Sequence, residues 1–234
     1  MVLRADSIAR SFAGRRVLTS ATITAGEGEI VVLVGRNGAG KSTLLNIACG
    51  HDTADGGTVS FLGRPWLRPS AAALARAGLF FVPARDLLPT SLSIGESLAC
   101  ARRAAGSRGG EVSETARRLG LESVLHLRPQ AASGGERRRA ELACALIGTP
   151  RCLVADEPFR GVSPLDAETL SDEFRRAASN GAAVIVSGHE LPSLLAIATR
   201  VVWCTDGTTA SLGAPDRAAA NRRFMSELVG PRGL

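Results

Sequence analysis

The sequence predicts an α/β fold in which helices flank a mostly parallel sheet. Four short apolar runs, of the kind that form strands covered on both faces, occur at residues 30–34, 79–82, 152–155 and 183–186. Segments with helical periodicity alternate with these runs, and that alternation is typical of parallel sheets. Segments that resemble antiparallel hairpins lie near both ends of the chain, so we expect antiparallel strands beside the parallel core.

The start of the chain contains the expected antiparallel strands and the first parallel strand. Residues 3–23 alternate polar and apolar side chains around a turn at Gly14. Residues 30–34 then form an apolar run that ends at Gly35 and leads into a glycine-rich turn. The apolar periodicity of residues 43–49 predicts a helix after that turn, which gives the order strand, loop, helix.

The middle of the chain is predicted to be almost wholly helical. Capping boxes, in which a serine is followed three residues later by a glutamate, begin at Ser93 and Ser133. Farther on, Ser163 is a predicted cap for a helix over residues 164–179, which starts with a proline and an acidic first turn. Residues 201–212 are interrupted by an Asp-Gly turn and predict a final hairpin.

Length and composition indicate one domain with two lobes. The chain has 234 residues, of which 45% are hydrophobic and 21% charged, an ordinary globular composition. We expect a catalytic lobe made of residues 1–83 and 150–234, and a helical lobe made of residues 84–149. No apolar run approaches the roughly 18 residues that cross a bilayer, and the N-terminus lacks the apolar core of a signal peptide. A cytoplasmic protein is therefore expected.

Charge and cysteine content leave several classes of function open. The net charge of +6 is compatible with nucleic acid, with an anionic membrane surface, or with nothing beyond a soluble surface. The arginines are scattered, which favours the last interpretation, and no nucleic acid partner is expected. The five cysteines are widely spaced and mostly lie in apolar runs, so we expect small core residues rather than a disulfide framework or a zinc site.

One lysine is singled out by composition and by its position in a motif. All but one of the 28 basic residues are arginine, and the exception is Lys41. A chain that otherwise uses arginine is expected to keep a lysine where a compact ammonium group is needed. Lys41 belongs to a GxxxxGK(S/T) pattern, whose backbone amides wrap a phosphate at a helix N-terminus. The predicted nucleotide contacts are Gly35, Asn37, Gly38, Ala39, Gly40, Lys41, Ser42 and Thr43. An unliganded glycine-rich turn is the alternative.

Two adjacent carboxylates follow a later buried strand. Residues 152–155 are apolar and end at Asp156 and Glu157. In an open α/β sheet the carboxyl ends of parallel strands meet at one crevice, so this pair is expected near Lys41. Asp156 is a predicted magnesium ligand together with Ser42, and Glu157 is predicted to polarise an attacking water. Together, the glycine-rich motif and the acidic pair indicate a P-loop NTPase that uses ATP and Mg²⁺.

A second glycine motif narrows the class of NTPase. Ser133, Gly134, Gly135 and Glu136 precede an arginine triplet, between the phosphate motif and the acidic pair. This segment resembles the LSGGQ signature of ABC transporter ATPases, and the resemblance spans nearly the whole chain. In that family, the signature of one subunit presses on the γ-phosphate bound by its partner. A capping hydroxyl, two glycines and a helix N-terminus suit that task. An ordinary capped helix is the alternative.

The resemblance implies two further contacts with the nucleotide. His189 follows the strand predicted at residues 183–186 and matches the histidine that contacts the γ-phosphate in the family. Phe12 matches the aromatic residue that stacks on adenine, usually a tyrosine. A core aromatic at a strand end is the alternative for Phe12. Within the family, the short helical lobe and the form of the signature are similar to ATPases of branched-chain amino acid uptake and lipopolysaccharide export.

The sequence also departs from the family pattern at three positions, of which Ala132, in place of a leucine at the head of the signature, is the mildest. The family carries a glutamine after the strand predicted at residues 79–82, where it helps to bind magnesium and touches the membrane subunit; here the residue is Ala84. Arg85 and Asp86 are candidates for a partial substitute. In the loop after the acidic pair, Ser163 replaces an aspartate that communicates across the dimer interface. These changes put the magnesium shell and the coupling contact in doubt.

The resemblance implies an ATP-binding, ATP-hydrolysing subunit that powers a membrane transporter. Two copies, or this chain and a second ABC ATPase, would sandwich two ATP molecules. The transmembrane permease would be a separate chain, which places this one on the cytoplasmic face of the inner membrane. One alternative is a partner with weak hydrolysis in a heterodimer. The other is a soluble ABC ATPase that acts on nucleic acid or protein machinery.

Overall fold

A computed structural model describes residues 1–85 and 87–228 of the chain. The strands are β1 (Leu3–Phe12), β2 (Arg15–Ala25), β3 (Ile30–Val34), β4 (Gly56–Phe61), β5 (Arg64–Trp66), β6 (Leu79–Val82), β7 (Cys152–Ala155), β8 (Ala183–Gly188), β9 (Arg200–Thr205) and β10 (Thr208–Gly213). The helices are α1 (Lys41–Ala48), α2 (Ala71–Ala77), α3 (Ile94–Ala105), α4 (Val112–Arg118), α5 (Gly134–Ile147), α6 (Pro164–Ser179), α7 (Leu191–Ile197), α8 (Pro215–Ala219) and α9 (Arg222–Leu228).

The strands of the described ranges form one mixed sheet. Their order is β5-β4-β1-β2-β10-β9-β3-β8-β7-β6. β3 pairs in parallel with β8 and β9, and β7 pairs in parallel with β6 and β8. The β1–β2 and β9–β10 pairs are antiparallel, as the hairpin patterns near both ends predicted. The predicted α/β fold, with antiparallel strands beside a parallel core, is confirmed.

The sheet is covered on both faces, which explains why the parallel strands are uninterrupted apolar runs. Successive residues of a strand point to opposite faces. Val32 packs in one buried cluster with Phe174 of α6, whereas Val31 packs in a second cluster with Leu45 of α1. Every residue of β3 is buried. A strand in this position has no polar face, so alternation is absent from its sequence.

Parallel pairing brings the starts of three loops together. Val34 pairs with Gly188, and Ala155 pairs with Val186. The loops that follow β3, β7 and β8 therefore begin side by side at one edge of the sheet. These loops carry the phosphate motif, the acidic pair and the predicted γ-phosphate histidine.

The sequence pattern did not single out β4, β5 or α2. β4 begins with two glycines, which normally weaken a strand and so obscured its pattern. Gly57 has a φ of 95°, and a Cβ there would meet the carbonyl oxygen of Asp6 at 2.6 Å. A glycine is therefore needed at this point for β1 and β4 to approach.

Helices α3, α4 and α5 lie between β6 and β7, in the segment predicted to be helical. α5 contacts both α3 and α4, and Ile94, Leu98 and Ala140 are fully buried among them. Both predicted capping boxes are present, at Ser93 and Ser133. The division into a catalytic and a helical lobe stays a prediction. None of the helices in the described ranges is both long and apolar enough to cross a membrane.

Candidate functional site

The path of the loop between β3 and α1 depends on its glycines. Gly38 and Gly40 have φ values of 83° and 102°, in the left-handed region that favours glycine. A Cβ at Gly35 would overlap the carbonyl oxygen of Cys204 on β9, and one at Gly40 would press into Leu18 of β2. The loop is therefore held tightly between two strands, and its path depends on these glycines.

Lys41 lies at the centre of this loop. It is the first residue of α1 and is only 4% exposed. Its Nζ donates to the carbonyl oxygens of Gly35 at 2.8 Å and of Arg36 at 3.2 Å, which folds the loop around the ammonium group. The N-cap residue, Gly40, has no side chain to cap the helix. The backbone N–H groups of the first turn are therefore available to an anion.

The wall behind the loop contains a protonated thiol. Burial raises the pKa of Cys204 to about 11, although the nearby Lys41 acts in the opposite direction. The thiol keeps its proton at neutral pH and donates to the carbonyl oxygen of Ala39 at 3.1 Å. Cys204 on β9 therefore stabilises the phosphate loop as a hydrogen-bond donor.

One cavity of about 710 Å³ opens above the loop. Its lining comprises residues 36–43, Glu157, the start of β2 at residues 15–17, the β9–β10 turn at residues 205–207, and Glu227 of α9. The volume is in the range that accepts a nucleotide-sized ligand. The cavity therefore brings together Lys41 and Glu157, two residues predicted from motifs that are far apart in the sequence.

The acidic pair is held at the end of β7 by Ser187 of β8. Asp156 is 2% exposed, and one of its carboxylate oxygens accepts a short hydrogen bond from the Ser187 hydroxyl. The backbone N–H of Glu157 donates to the carbonyl oxygen of Ser187 at 3.1 Å. Glu157 has a φ of 49°, an uncommon left-handed conformation for a residue with a side chain. The chain therefore turns sharply between the two carboxylates.

Glu157 and His189, the two predicted catalytic residues, are neighbours. Nδ1 of His189 lies 3.7 Å from a carboxylate oxygen of Glu157, and its Nε2 lies 3.3 Å from Glu190. The His189 side chain is 42% exposed. Arg160 approaches the other oxygen of Glu157 at 3.3 Å from solvent. His189 is thus accessible to a ligand, whereas the Glu157 side chain is only 11% exposed and lines the cavity.

The second glycine motif forms the N-terminus of α5. The hydroxyl of Ser133 accepts from the backbone N–H of Glu136 at 3.2 Å, and the Glu136 carboxylate accepts from the backbone N–H of Ser133 at 2.7 Å. The hydrogen bond from the Ser133 backbone lowers the pKa of Glu136. These reciprocal bonds fix the first turn of the helix in a capping box.

Gly135 rests directly against Asp166, at the start of α6. Asp166 accepts from the hydroxyl of Ser163 at 2.6 Å, and Nε of Arg139 lies 2.9 Å from its carboxylate. A Cβ at Gly135 would overlap the Asp166 carboxylate, whereas a Cβ at Gly134 would meet nothing within 4 Å. The two adjacent glycines therefore have different structural constraints.

This difference predicts that Gly135→Ala destabilises the chain and Gly134→Ala does not. The alanine at position 135 has to displace Asp166 from both of its partners, and overpacking of this kind costs about 1–3 kcal/mol. Urea denaturation of both variants measures the change in the free energy of unfolding. Equal stability of the two variants would contradict the contact between Gly135 and Asp166.

Several predicted site residues do not line the cavity above Lys41 within the described ranges: Gly35, Asp156, His189, Phe12 and the Ser133 motif. Phe12 is 43% exposed, with the guanidinium of Arg10 at 4.7 Å from its ring centroid. It pairs across the β1–β2 hairpin with Arg15, which does line the cavity. Stacking of Phe12 on adenine and the contact of Ser133 with a phosphate stay predictions.

Ala84 contributes only its main chain to the loop after β6. Its carbonyl oxygen accepts from Nη2 of Arg138 on α5 at 3.0 Å. Asp86, named above as a candidate substitute for the family's glutamine, lies outside the described residues. Sequence reasoning did not find the loop's partner Arg138, because nothing in the arginine triplet distinguishes its members.

Comparison with known proteins supports one family. Residues 18–160 match the family described as ABC transporter. The lipopolysaccharide export system ATP-binding protein LptB of Escherichia coli K12 is 29% identical over 218 residues, which cover 91% of this chain and 90% of LptB. The Nod factor export ATP-binding protein I of Rhizobium etli is 30% identical over 229 residues, which cover 96% of this chain and 70% of that protein.

Solved structures agree with the fold. A structure of the ATP binding subunit of an ABC transporter has a TM-score of 0.82 and 25% identity, and the match covers 97% of this chain and 95% of that one. An ATP-binding cassette of an ABC transporter in an ADP conformation has a TM-score of 0.85, with 98% of both chains covered. Its identity is 21%, so that likeness concerns the fold alone.

Proposed function

The chain belongs to the ABC transporter family, as an ATP-binding subunit and an ATPase, and from this membership we propose that it powers a membrane transporter by closing a dimer around two ATP molecules. The observation that carries the proposal is the shared cavity of Lys41 and Glu157. One residue is suited to bind the terminal phosphates of ATP, and the other to activate the water that attacks them.

The phosphate loop is the proposed binding element. Its glycines, with Asn37, Ala39 and Thr43, wrap the phosphates with backbone N–H groups, and Lys41 releases its two loop carbonyls to bind phosphate oxygens. Phe12 is proposed to stack on the adenine, on the side of the cavity where Arg15 lies. The base would then sit at the β1–β2 hairpin and the phosphates at α1.

Magnesium is proposed to bind through Ser42, Asp156 and the phosphates of the nucleotide. Among the residues that the structure describes, no group of three or more His, Cys, Asp and Glu side chains is arranged to hold a metal. The donor set fits Mg²⁺ in particular, since this ion is usually bound by one or two carboxylates together with substrate phosphates. When bound, it would neutralise charge that develops on the phosphates.

Glu157 and His189 are the proposed catalytic residues. Glu157 accepts a proton from the attacking water, and its turn at the end of β7 directs the carboxylate into the cavity. His189 is proposed to contact the γ-phosphate, and its position 3.7 Å from Glu157 fits a residue that detects whether that phosphate is present.

The dimer is proposed to be head to tail. The Ser133 cradle, with Gly134, Gly135 and Glu136, does not line the Lys41 cavity of its own chain within the described ranges. A second subunit, identical or related, would bring its own cradle onto that cavity and complete the site. A separate transmembrane permease is the proposed partner of the dimer, which would place the chain on the cytoplasmic face of the inner membrane.

Hydrolysis by the purified chain tests the proposal. We expect phosphate release from ATP that requires Mg²⁺, stops with EDTA, and is accompanied by ATP-dependent dimers in light scattering. A second candidate, a partner with weak hydrolysis, is favoured by Ala84 and Ser163. It would bind ATP with little phosphate release and would form dimers only with another ABC ATPase. Absence of ATP binding would contradict both candidates.

Membrane association tests the transport role separately. We expect a tagged chain to be recovered from detergent-solubilised membranes with a multi-span protein, and ATP hydrolysis to change when that protein is removed. A soluble ABC ATPase that acts on nucleic acid would instead bind DNA in a salt-dependent manner and stay out of the membrane fraction.

A further inference from the structure

A largely buried ion pair lies within α5, the helix that begins at the Ser133 cradle. Nη1 of Arg138 is 2.7 Å from Oε2 of Glu141, one turn later in the helix. The two side chains are 13% and 3% exposed. Removing such a pair from water costs free energy that further hydrogen bonds have to offset. Its hydrogen-bond partners therefore indicate what the pair holds in position.

Three hydrogen bonds among the described residues connect this pair to the loop after β6. Nη1 of Arg138 donates to the carbonyl oxygen of Pro83 at 2.9 Å, and Nη2 donates to that of Ala84 at 3.0 Å. The backbone N–H of Leu87 donates to Oε1 of Glu141 at 2.9 Å. All three bonds use the main chain of the loop, so they do not depend on the side chain at position 84. The pair therefore fastens the first residues of the loop, Pro83 and Ala84, and also Leu87, to α5.

The same loop adjoins the acidic pair. The carbonyl oxygen of Val82 accepts from the backbone N–H of Asp156 at 2.9 Å, and Pro83 follows directly. At the other end of the linkage, Arg138 is in the second turn of the helix capped by Ser133. A path of hydrogen bonds and main chain therefore joins the proposed magnesium ligand of a chain to the phosphate cradle of the same chain.

We propose that Arg138 and Glu141 are positioning residues that couple the two ATP sites of the dimer. The inference rests on the head-to-tail dimer proposed above, in which the Lys41 cavity of a chain belongs to one site and its Ser133 cradle to the other. A rigid linkage inside each chain then transmits closure of one site to its neighbour. At position 84, where alanine replaces the family's glutamine, this linkage is made by a main-chain carbonyl instead of a side chain.

The test is the cooperativity of hydrolysis in the double variant Arg138→Met, Glu141→Leu. Apolar replacement of both partners of a buried ion pair is often neutral for stability, so the variant is expected to fold. The Hill coefficient for ATP, whose upper limit is the number of sites, is expected to fall from about 2 towards about 1. The affinity of the Lys41 cavity for ATP is expected to change by less than about threefold, because the pair does not line it.

A matched control is available in a second partly buried ion pair, whose arginine side chain is 22% exposed. Nε of Arg118 on α4 lies 2.9 Å from Glu173 on α6, whose side chain is 7% exposed. The double variant Arg118→Met, Glu173→Leu removes a comparable pair without touching the loop after β6, and is expected to keep the cooperativity of the unmodified chain.

Two outcomes would overturn the coupling: retained cooperativity in the Arg138 and Glu141 variant, or an equal loss in the control. Hydrolysis by the unmodified chain with a Hill coefficient of ~1 would do the same, because there would be no cooperativity to transmit. In each case, ATP binding and hydrolysis would still support the proposed function. Failure of the unmodified chain to bind ATP would instead contradict the proposed function itself.

Discussion

Replacing Glu157 with glutamine is expected to lower the rate of ATP hydrolysis by about 10²–10⁴-fold, the range that general base catalysis contributes. The amide is nearly the same size as the carboxylate but does not accept a proton from water at neutral pH. The left-handed backbone at position 157 and its bond to Ser187 involve main-chain atoms, so the variant is expected to fold normally. ATP affinity is expected to stay within about threefold of the original, because Lys41 is unchanged.

The variant is also expected to accumulate as a dimer in the presence of ATP and Mg²⁺. If hydrolysis opens the sandwich, a chain that binds ATP without cleaving it stays closed. Phosphate release measures the first effect, and light scattering with and without ATP measures the second. Glu168→Gln is a suitable control, because Glu168 is an exposed glutamate on α6 away from the cavity. Undiminished hydrolysis by the Glu157→Gln variant would contradict the assignment of Glu157 as the catalytic base.

The central strands could be predicted closely because a strand that is buried on both faces is a continuous apolar run in the sequence. β3, β6 and β7 begin and end where their apolar runs do, and α6 begins at Pro164 after its predicted cap. Both faces of the parallel strands are covered, so their boundaries are also boundaries of hydrophobicity. The cap and the first-turn proline are equally local signals.

The outer walls of the cavity were not predicted, because they are assembled from distant parts of the chain. Arg15 and Arg16 come from the start of β2, and Glu227 comes from α9 near the other end of the sequence. Glu227 is held there by Trp203 and Thr205, through hydrogen bonds of 3.3 and 3.4 Å. No local spacing connects these residues. The pairing of β2, β9 and β10, together with the hydrogen bonds to Glu227, brings them to one site.

The contact between Arg138 and the loop after β6 was likewise not predictable from the sequence, although Arg138 belongs to a recognised motif. Sequence reasoning identified the arginine triplet and the missing glutamine at position 84, but it treated them as separate features. The structure joins them through main-chain carbonyls, which leave no signature in residue identity. A departure from a family pattern is therefore best interpreted together with the backbone contacts at that position.

Replacing Lys41 with arginine is expected to weaken ATP binding by about 10–150-fold, although the positive charge is kept. This range corresponds to the loss of one charge-assisted hydrogen bond of about 1.5–3 kcal/mol. The ammonium group is 4% exposed and fits between the carbonyl oxygens of Gly35 and Arg36. A planar guanidinium is larger and presents its donors in a fixed fork, so it does not fit the same enclosed space.

The arginine variant separates the effect of geometry from that of charge. Lys41→Met removes the charge and keeps a long unbranched side chain, and is expected to bind ATP at least as weakly as Lys41→Arg. Calorimetric titration in the Glu157→Gln background measures affinity without hydrolysis, and Arg64→Ala, on the exposed edge strand β5, controls for the loss of one positive charge. If Lys41→Arg bound ATP as the parent does, charge alone would be sufficient. The single lysine among 28 basic residues would then have no explanation in the geometry of the loop.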